Sequence, residues 1–315
     1  MGEAGSSPET AIEIDNPTKS LVIYSEIHEA KEPQFYTFEG ATGMRFRSTV
    51  NLPLEYEDTD FRPVLVLIGP DLGVNDSLPG YVELPAGLEA MVFEPGVAQA
   101  VYEGFTPSAF LVTTSIDMIL QHAGQYYLVI YDNASEGRYS VTIGFVESFT
   151  LEEWLLVPFN VISIHMWEGQ PLALILLPVV ATLIIGLVFY YFRFPSLKGA
   201  SNVPMLIGAT GAFLIVGSGV SIFYQMVIAV MTVSLDPQVI ITAVFGVLPL
   251  LLGTSAARYL FRPATTVSSS ILTKVFIISI ISLFVWGGYL VGPFLLMTSI
   301  IGIYLMNSRP QTSTR

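Results

Sequence analysis

Residues 172 to 192 read LALILLPVVATLIIGLVFYYF, a stretch without a charged side chain. A helix needs about 20 apolar residues to cross a hydrocarbon core of roughly 30 Å, so this stretch is long enough to span a membrane. Three further apolar runs follow at residues 204–234, 239–257 and 271–306. The carboxyl-terminal half of the chain is therefore predicted to be an all-α transmembrane domain.

The last of these runs is 36 residues long, well beyond what one crossing requires. Gly287 and Gly288 interrupt it near its middle, and Gly292 and Pro293 follow, so we expect two helices joined by a turn. The helical domain at 171–306 then has five predicted spans and is followed by a tail at 307–315. The spans cover residues 172–192, 204–234, 239–257, 271–287 and 290–306.

Acidic residues are confined almost entirely to the other half of the chain. Of the 26 Asp and Glu residues, 25 precede position 170, and Asp236 is the exception. Residues 1–170 also carry six basic residues, so their net charge is −19, whereas residues 171–315 carry +6. We exclude nucleic acid as a partner because so acidic a surface repels phosphates. Because the chain has no cysteine, disulfides and thiolate catalysis are excluded as well.

Basic residues support the five spans and give them a direction, because Lys and Arg concentrate on the cytoplasmic side of short loops. With five spans, all seven basic residues after position 170 lie on one side of the membrane: Arg193, Lys198, Arg258, Arg262, Lys274, Arg309 and Arg315. Trp154, Trp167 and Trp286 then fall near the outer surface, where amphipathic rings are favoured. The sequence predicts a multi-pass protein of the cell membrane, with an extracytoplasmic N-terminal domain and a cytoplasmic C-terminus.

The N-terminal residues offer one alternative to this topology. Residues 1–6 (MGEAGS) fit the loose N-myristoylation pattern, which would require a cytoplasmic N-terminus. Polar tails produce this short pattern easily, and the asymmetry of the basic residues argues against it. No signal-peptide pattern is visible before the predicted domain. We expect residues 1–19 to form a flexible tail.

Residues 20–148 show the pattern of a β-sandwich. Between residues 139 and 145, apolar side chains alternate with small or polar ones, which places one face of a strand inward. Turn residues separate the segments, and about eight strands at this spacing are typical of a sandwich. The predicted strands are 21–25, 34–38, 45–50, 64–68, 90–93, 109–113, 125–131 and 138–145.

The last two of these strands resemble a known type of module. Residues 122–131 read HAGQYYLVIY, and residues 137–144 read GRYSVTIG. This pair resembles the closing hairpin of the bacterial pre-peptidase C-terminal (PPC) β-sandwich, and the order of the upstream strands is similar over roughly residues 20–147. The resemblance implies a jelly-roll-like accessory domain that binds a ligand or calcium and is not itself a catalyst. A helical membrane domain behind such a module is a departure from its usual context.

Residues 149–170 connect the two predicted domains. Thr150 and Glu153 match a capping box, and Leu151, Trp154 and Leu155 begin an apolar stripe. The segment is predicted to be a short amphipathic helix that lies against the membrane or the helical bundle. The alternative is a final core helix of the sandwich.

Carboxylates cluster in one loop of the predicted sandwich, where Glu57, Asp58 and Asp60 follow Glu55 closely. Calcium takes six to eight oxygen ligands, and sandwich loops supply both carboxylates and carbonyls. Glu57, Asp58 and Asp60 are therefore the candidate metal ligands, with calcium as the cofactor. The alternative is a solvated acidic loop that binds no cation, since the chain has no EF-hand or other spaced calcium loop.

Other polar residues give weaker signals. His28, His122 and His165 lie far apart in sequence without metal-binding spacing, so we interpret them as surface or hydrogen-bonded residues. Tyr224 and Gln225 can add an interhelical hydrogen bond to the second span. The small residues of that span allow close packing inside the bundle or against another subunit: Gly208, Gly211, Ala212, Gly217, Ser218, Gly219 and Ser221.

The predicted spans contain neither a carboxylate nor a histidine, whereas proton relays and ion-coupled transporters place such groups inside the bilayer. No catalytic residue is predicted. The favoured function is a non-enzymatic integral membrane protein whose acidic sandwich binds a ligand, cation, glycan or protein partner. Membrane lipid, other membrane subunits or a second copy of the chain are the expected contacts of its helices. The alternative is an accessory subunit of a membrane enzyme or transport complex whose active groups lie in another subunit.

Overall fold

The computed structural model describes residues 5–194, 203–234, 236–261 and 267–308. The chain divides into two compact units. The first, the sandwich unit, comprises Met1–Val101, Ala109–Glu152 and Trp167–Gly169, and the second, the helical unit, comprises Tyr102–Ser108, Glu153–Met166 and Gln170–Arg315. The predicted fold class, a β-sandwich followed by an all-α domain with apolar helices, is confirmed.

Two sheets of five strands each form the β part of the described chain. One has the order β1-β3-β9-β5-β6, and the other has the order β2-β10-β4-β8-β7. All eight predicted strands are present, and the short strands β1 and β7 are additional. The strands are β1 Ile12–Glu13, β2 Leu21–Ile27, β3 Gln34–Gly40, β4 Arg45–Pro53, β5 Val64–Gly69, β6 Glu89–Phe93, β7 Gln99–Glu103, β8 Ser108–Ile119, β9 Gly124–Tyr131 and β10 Gly137–Ile143.

The sandwich core follows from the alternation that the sequence shows. Tyr139, Val141 and Ile143 of β10 are fully buried in a cluster with residues of both sheets. Phe145, which continues the same alternation, is 40% exposed because β10 ends at Ile143. Gly144 then adopts a φ of +79°, a left-handed conformation that β-strands do not use.

The structure differs from the sequence prediction at the N-terminus. The sequence predicts a flexible tail over residues 1–19, but within this range β1 pairs in parallel with β3, with Ile12 opposite Tyr36. Ile14 is 4% exposed and belongs to the sandwich core. Burial of this short apolar segment offsets the entropy of ordering it. Residues 1–4, which include most of the myristoylation pattern, lie outside the described residues.

The helical unit contains most of the helical residues. Four helical stretches are long and apolar enough to cross a membrane: Leu172–Arg193, Val203–Val230, Val239–Leu260 and Gly287–Asn307. The remaining apolar helix, Ser269–Phe284, has 16 residues, which is about 24 Å at the rise of an α-helix. The helices are α1 Leu151–Trp167, α2 Leu172–Arg193, α3 Val203–Val230, α4 Val239–Leu260, α5 Ser269–Phe284 and α6 Val291–Asn307.

Helix α3 packs against α2, α4 and α6. Its small residues permit this packing, because a Cβ added at Gly219 would lie 2.6 Å from the carbonyl oxygen of Gly246. A Cβ added at Gly211 would lie 2.7 Å from the carbonyl oxygen of Gly292. The bundle itself therefore buries the small residues of α3, in agreement with the interpretation of close packing inside the bundle.

The predicted break between α5 and α6 is a tight left-handed turn. Trp286, Gly288, Tyr289 and Leu290 have φ values of 50°, 60°, 55° and 65°. Only glycine adopts this region without a steric cost, so the three other residues store backbone strain of about 1–3 kcal/mol each. The Gly288 N–H donates to Ser218 Oγ of α3 at 2.8 Å and fastens the turn to the bundle.

Candidate functional site

The acidic loop is exposed. Glu57, Asp58 and Asp60 follow a 3-10 turn at Leu54–Tyr56, and their side chains face solvent. Among the described residues, no group of three or more His, Asp or Glu side chains is arranged to hold a metal ion. The three carboxylates are thus neighbours in sequence but not a formed coordination cage, and calcium binding stays a prediction.

Backbone carbonyl oxygens in this loop accept hydrogen bonds from the side chain of Arg62. The Arg62 guanidinium donates from Nη1 to the carbonyls of Tyr56 and Phe61, at 2.9 Å and 2.7 Å, and from Nη2 to that of Glu57 at 2.8 Å. Calcium would need carbonyl oxygens of this kind, and a guanidinium beside them repels it. The next carboxylate upstream, Glu55, is ion-paired with Arg138.

Asp132, which the sequence places in a turn, is 4% exposed and has a structural role. Its Oδ1 accepts hydrogen bonds from the backbone N–H groups of Ala134 and Ser135 at 2.8 Å and 2.9 Å. Its Oδ2 accepts from the Arg62 N–H at 2.8 Å. This carboxylate organises the loop between β9 and β10 by satisfying three backbone donors.

None of the histidines belongs to a metal-binding group within the described ranges. His28 is exposed, and His122 Nε2 lies 3.2 Å from Asp71 Oδ2 at the surface of the sandwich unit. His165 is 2% exposed in the helical unit. The interpretation as surface residues agrees with the positions of His28 and His122, whereas His165 is buried.

A cavity of about 80 Å³ lies within the helical unit. Its walls come from α1, the loop between β7 and β8, the first turn of α2, the C-terminal half of α3, the first turns of α4 and the α5–α6 turn. All these segments meet at one end of the bundle. Arg193, Arg258 and Lys274 lie on the helices towards the opposite end, near the end of α2, the end of α4 and the start of α5.

Aromatic rings form one wall of the cavity. The Trp286 ring is 5.6 Å from that of Phe105 and 5.8 Å from that of Phe245, between ring centroids. The Trp154 ring packs behind Trp286 at 5.5 Å, and the Trp286 Nε1–H donates to the Trp154 carbonyl at 2.7 Å. The only donor on the Trp286 ring is thus satisfied, and the ring presents an apolar surface to the cavity.

Polar groups lie along the α3 side. Ser218 Oγ donates to the Ile215 carbonyl and accepts from Gly288, each at 2.8 Å. Gln225 is 3% exposed, and its Nε2 donates to Gln170 Oε1 at 3.0 Å. Gln225 Oε1 is buried and has no hydrogen-bond partner among the described residues. A buried carbonyl oxygen without a donor is uncommon and needs an explanation.

The sequence indicated only part of this site. It predicts an interhelical hydrogen bond from Gln225, whereas the observed bond joins Gln225 to Gln170, which lies between α1 and α2 and not in a helix. It did not predict the cavity, because the lining residues come from six separate segments and no local pattern connects them. Trp286 beside two glycines was the one signal of an aromatic group at a helix break.

An open groove of about 340 Å³ lies between α4 and α5, towards the basic end of the bundle. Leu251, Ile277 and other aliphatic residues line most of it. The Lys274 ammonium lies 5.5 Å from the centroid of the Tyr259 ring, a cation–π contact at the rim. The Lys274 ammonium therefore lies beside Tyr259, near the C-terminal end of α4.

No family model matches this chain, and no curated protein matches it either. The similarity to the PPC type of sandwich accordingly stays an expectation that rests on the strand pattern alone.

Proposed function

We propose that this chain is a non-enzymatic integral membrane protein whose acidic β-sandwich binds a cationic ligand or protein surface outside the cytoplasm. The observation that supports this most directly is the division of charge between the two parts. Residues 1–170 carry a net charge of −19, and most of their carboxylates are exposed. Helices α2 to α6, in contrast, contain neither a carboxylate nor a histidine.

A surface of one charge attracts partners of the opposite charge. It raises the association rate of cationic partners, and added salt weakens the effect. One exposed carboxylate, Asp117, is neutralised by Arg45, with the two charged groups 2.6 Å apart. The hydrogen bond from Arg45 lowers the pKa of Asp117, so this pair stays ionised at neutral pH. The acidic loop at residues 57–60 is the densest exposed cluster and therefore our choice for the contact.

The apolar helices support the anchoring role. An ion-coupled carrier needs ionisable groups within its spans. Helices α2 to α6 offer hydroxyl groups, Gln225, Asn307 and three cations, of which Arg193 and Arg258 lie at helix ends and Lys274 lies in the second turn of α5. The buried small-residue stripe of α3 is already used inside the bundle, so it gives no independent reason for an accessory subunit. Membrane anchoring with external binding is the function that fits both parts.

Site-specific photocrosslinking in intact cells tests the proposal. A photoreactive residue is placed at Asp58, and a matched one is placed at Val97, which is 90% exposed but lies outside the acidic loop. We expect a crosslinked partner at position 58 whose contact peptide is rich in Lys and Arg. The triple substitution Glu57→Gln, Asp60→Asn and Glu55→Gln should reduce this product severalfold, as should high salt.

Two outcomes contradict the proposal. A product of equal yield at both positions, insensitive to salt, would show that the acidic surface does not select the partner. Copurification of a membrane enzyme or transport subunit through the helices, unchanged by the triple substitution, would favour the accessory-subunit alternative.

A further inference from the structure

We propose that the cavity at one end of the helical unit binds a neutral, hydroxyl-bearing lipid taken from the membrane, with the lipid hydroxyl hydrogen-bonded to Gln225 Oε1. This inference goes beyond the proposed function, which concerns the sandwich surface, and does not depend on it.

The lining selects an apolar ligand. Phe105, Val157, Ile175, Phe245 and Trp286 present hydrocarbon or ring surface to the cavity. Binding sites for small molecules commonly combine an apolar lining of this kind with a few polar groups that fix orientation. The Trp286 N–H already has its partner at Trp154. A polar group against most of the cavity surface would therefore have no hydrogen-bond partner. Most of this surface favours an apolar group.

The polar requirement is specific. Gln225 Oε1 is an acceptor, so its ligand must donate a hydrogen bond. A carboxylate or phosphate at this position would place its own acceptor oxygens against Gln225 Oε1, and no hydrogen bond could form between them. An ammonium group could donate, but none of the cavity-lining residues carries a carboxylate to compensate its charge. A neutral hydroxyl group satisfies the carbonyl oxygen without burying a charge.

Size limits how much of the ligand enters. A cavity of about 150 Å³ holds a benzene molecule, and a single water needs roughly 10–15 Å³. The cavity measures about 80 Å³ and is only partly enclosed. It is far larger than one water at Gln225 needs, and further waters would face apolar walls without partners. The hydroxyl and the first few carbon atoms fit inside, and the rest of the chain lies outside the cavity.

Backbone geometry holds the site in shape before the ligand arrives. Trp286 and Tyr289 line the cavity from the left-handed turn, which Ser218 fastens to α3 through the Gly288 N–H. Strained backbone conformations of this kind persist where the surrounding structure holds them in place, and they cluster at ligand-binding and active sites. A rigid site loses less conformational entropy on binding, which favours a small ligand with few contacts.

The experiment uses the full-length chain in nanodiscs, with Trp154→Phe and Trp167→Phe so that Trp286 is the only tryptophan, and its emission is excited selectively over that of the tyrosines. The Trp154 carbonyl that accepts from Trp286 is kept in this background. The probe is 3-bromopropan-1-ol, whose bromine quenches tryptophan at short range, and 1-bromopropane and 3-bromopropanoate are the matched probes without the neutral hydroxyl. We expect saturable quenching by the alcohol. Its affinity should fall about tenfold in Gln225→Leu, because the leucine side chain cannot accept a hydrogen bond.

Two variants separate the site from general effects. Val161→Phe, on the α1 wall, should fill the cavity and abolish saturable quenching by the alcohol. Gln170→Leu removes the partner of Gln225 Nε2 but leaves Oε1 in place, so it should retain most of the alcohol affinity. Quenching by 1-bromopropane should be the same in Gln225→Leu as in the parent, since that probe makes no hydrogen bond.

Lipid extraction and mass spectrometry identify the natural occupant. We expect a neutral lipid with a free hydroxyl to be enriched in the parent protein and reduced at least fivefold in Gln225→Leu and Val161→Phe. Non-saturable quenching, equal alcohol affinity in the parent and Gln225→Leu, or tighter binding of 3-bromopropanoate would overturn the proposal. Should Gln225→Leu fail to fold, unchanged alcohol binding in Val161→Phe would overturn it as well.

Discussion

At the scale of single residues, a buried polar network connects the two sheets of the sandwich. Gln34 of β3 is 3% exposed, and its Oε1 accepts hydrogen bonds from Ser25 Oγ at 2.8 Å and from the Tyr139 hydroxyl. The Tyr36 and Tyr139 hydroxyls are 2.8 Å apart, and Gln34 Nε2 donates to the Glu26 carbonyl. Each member has a partner, so the network fixes the pairing of the sheets at little energetic cost.

Removal of one hydroxyl from this network tests its contribution. Tyr139→Phe deprives Gln34 and Tyr36 of a partner in a site without solvent access, so the free energy of unfolding should fall by about 1–3 kcal/mol. Tyr81→Phe is the matched control, because the Tyr81 hydroxyl bonds to Asn133 at the exposed surface. Thermal unfolding of the full-length chain measures both. Equal melting temperatures for the two variants would contradict a stabilising network.

The same residues predict the behaviour at high pH. Burial raises the pKa of Tyr139 well above 10 and also raises that of Tyr36. The folded state therefore keeps protons that the unfolded state releases near pH 10, and stability is complete below that pH and declines as the pH rises above it. A denaturation series from pH 8 upward, to about pH 11, should show this decline. Tyr139→Phe should make the decline of stability with pH less steep. The substitution Tyr81→Phe should alter this decline less.

The acidic loop belongs to this scale too. If Glu57, Asp58 and Asp60 bind calcium, the cation should raise the melting temperature of the full-length chain, and Asp58→Asn with Asp60→Asn should remove the rise. Melting curves that are identical with calcium and with chelator would leave the loop as a solvated acidic surface. The contacts of Arg62 with the loop carbonyls are the physical reason to expect a small effect.

At the scale of elements, helix α3 organises the bundle because many of its residues have small side chains or none. Glycine and serine bring its backbone close to α4 and α6, as the 2.6 Å approach at Gly219 and the 2.7 Å approach at Gly211 show. In a membrane, such close packing replaces the hydrophobic effect as the source of helix association. The lipid-facing sides of α2 and α4 are aliphatic and exposed, for example at Ile185 and Ile240.

A bulkier residue on this helix should separate it from its neighbour. Gly219→Val places a side chain against the Gly246 carbonyl and Leu250, so we expect a loss of about 1–3 kcal/mol through overpacking. Gly80→Ala is the control, since an added Cβ there meets open space. Size-exclusion chromatography and thermal unfolding in one detergent give the comparison. An unchanged melting temperature for Gly219→Val would mean that α3 and α4 are not tightly packed.

At the scale of the whole molecule, topology is the prediction that most affects function. The apolar helices establish a membrane protein in outline, and the side on which the termini lie is a proposal from the basic residues. Because the chain has no native cysteine, single cysteines report their own position without background. Ser115 is exposed on β8, and Ser308 is exposed just after α6.

Labelling of intact cells with a membrane-impermeant maleimide tests the proposed topology. Ser115→Cys should react without lysis, and Ser308→Cys should react only after the membrane is opened. The reverse result would place the sandwich in the cytoplasm and make the myristoylation pattern relevant. Reaction of both residues in intact cells would argue for an even number of crossings.

Most of the fold was determined by local sequence patterns. The apolar runs, the alternation from Tyr139 to Ile143 and the break at Gly287 and Gly288 each depend on neighbours in sequence, which is why their elements agree with the structure. The N-terminal strand was missed because two residues carry too little pattern to be seen. Its partner, β3, lies more than 20 residues further along the chain.

The cavity was decided by the tertiary structure alone. Gln225 reads in sequence as one polar residue in an apolar helix, and only the packing of six distant segments leaves its Oε1 buried, unpaired and beside a space. The acidic loop shows the reverse case, since carboxylates adjacent in sequence do not converge in space. Sequence patterns determine periodic structure because it repeats locally, whereas a site depends on where side chains of separate elements meet.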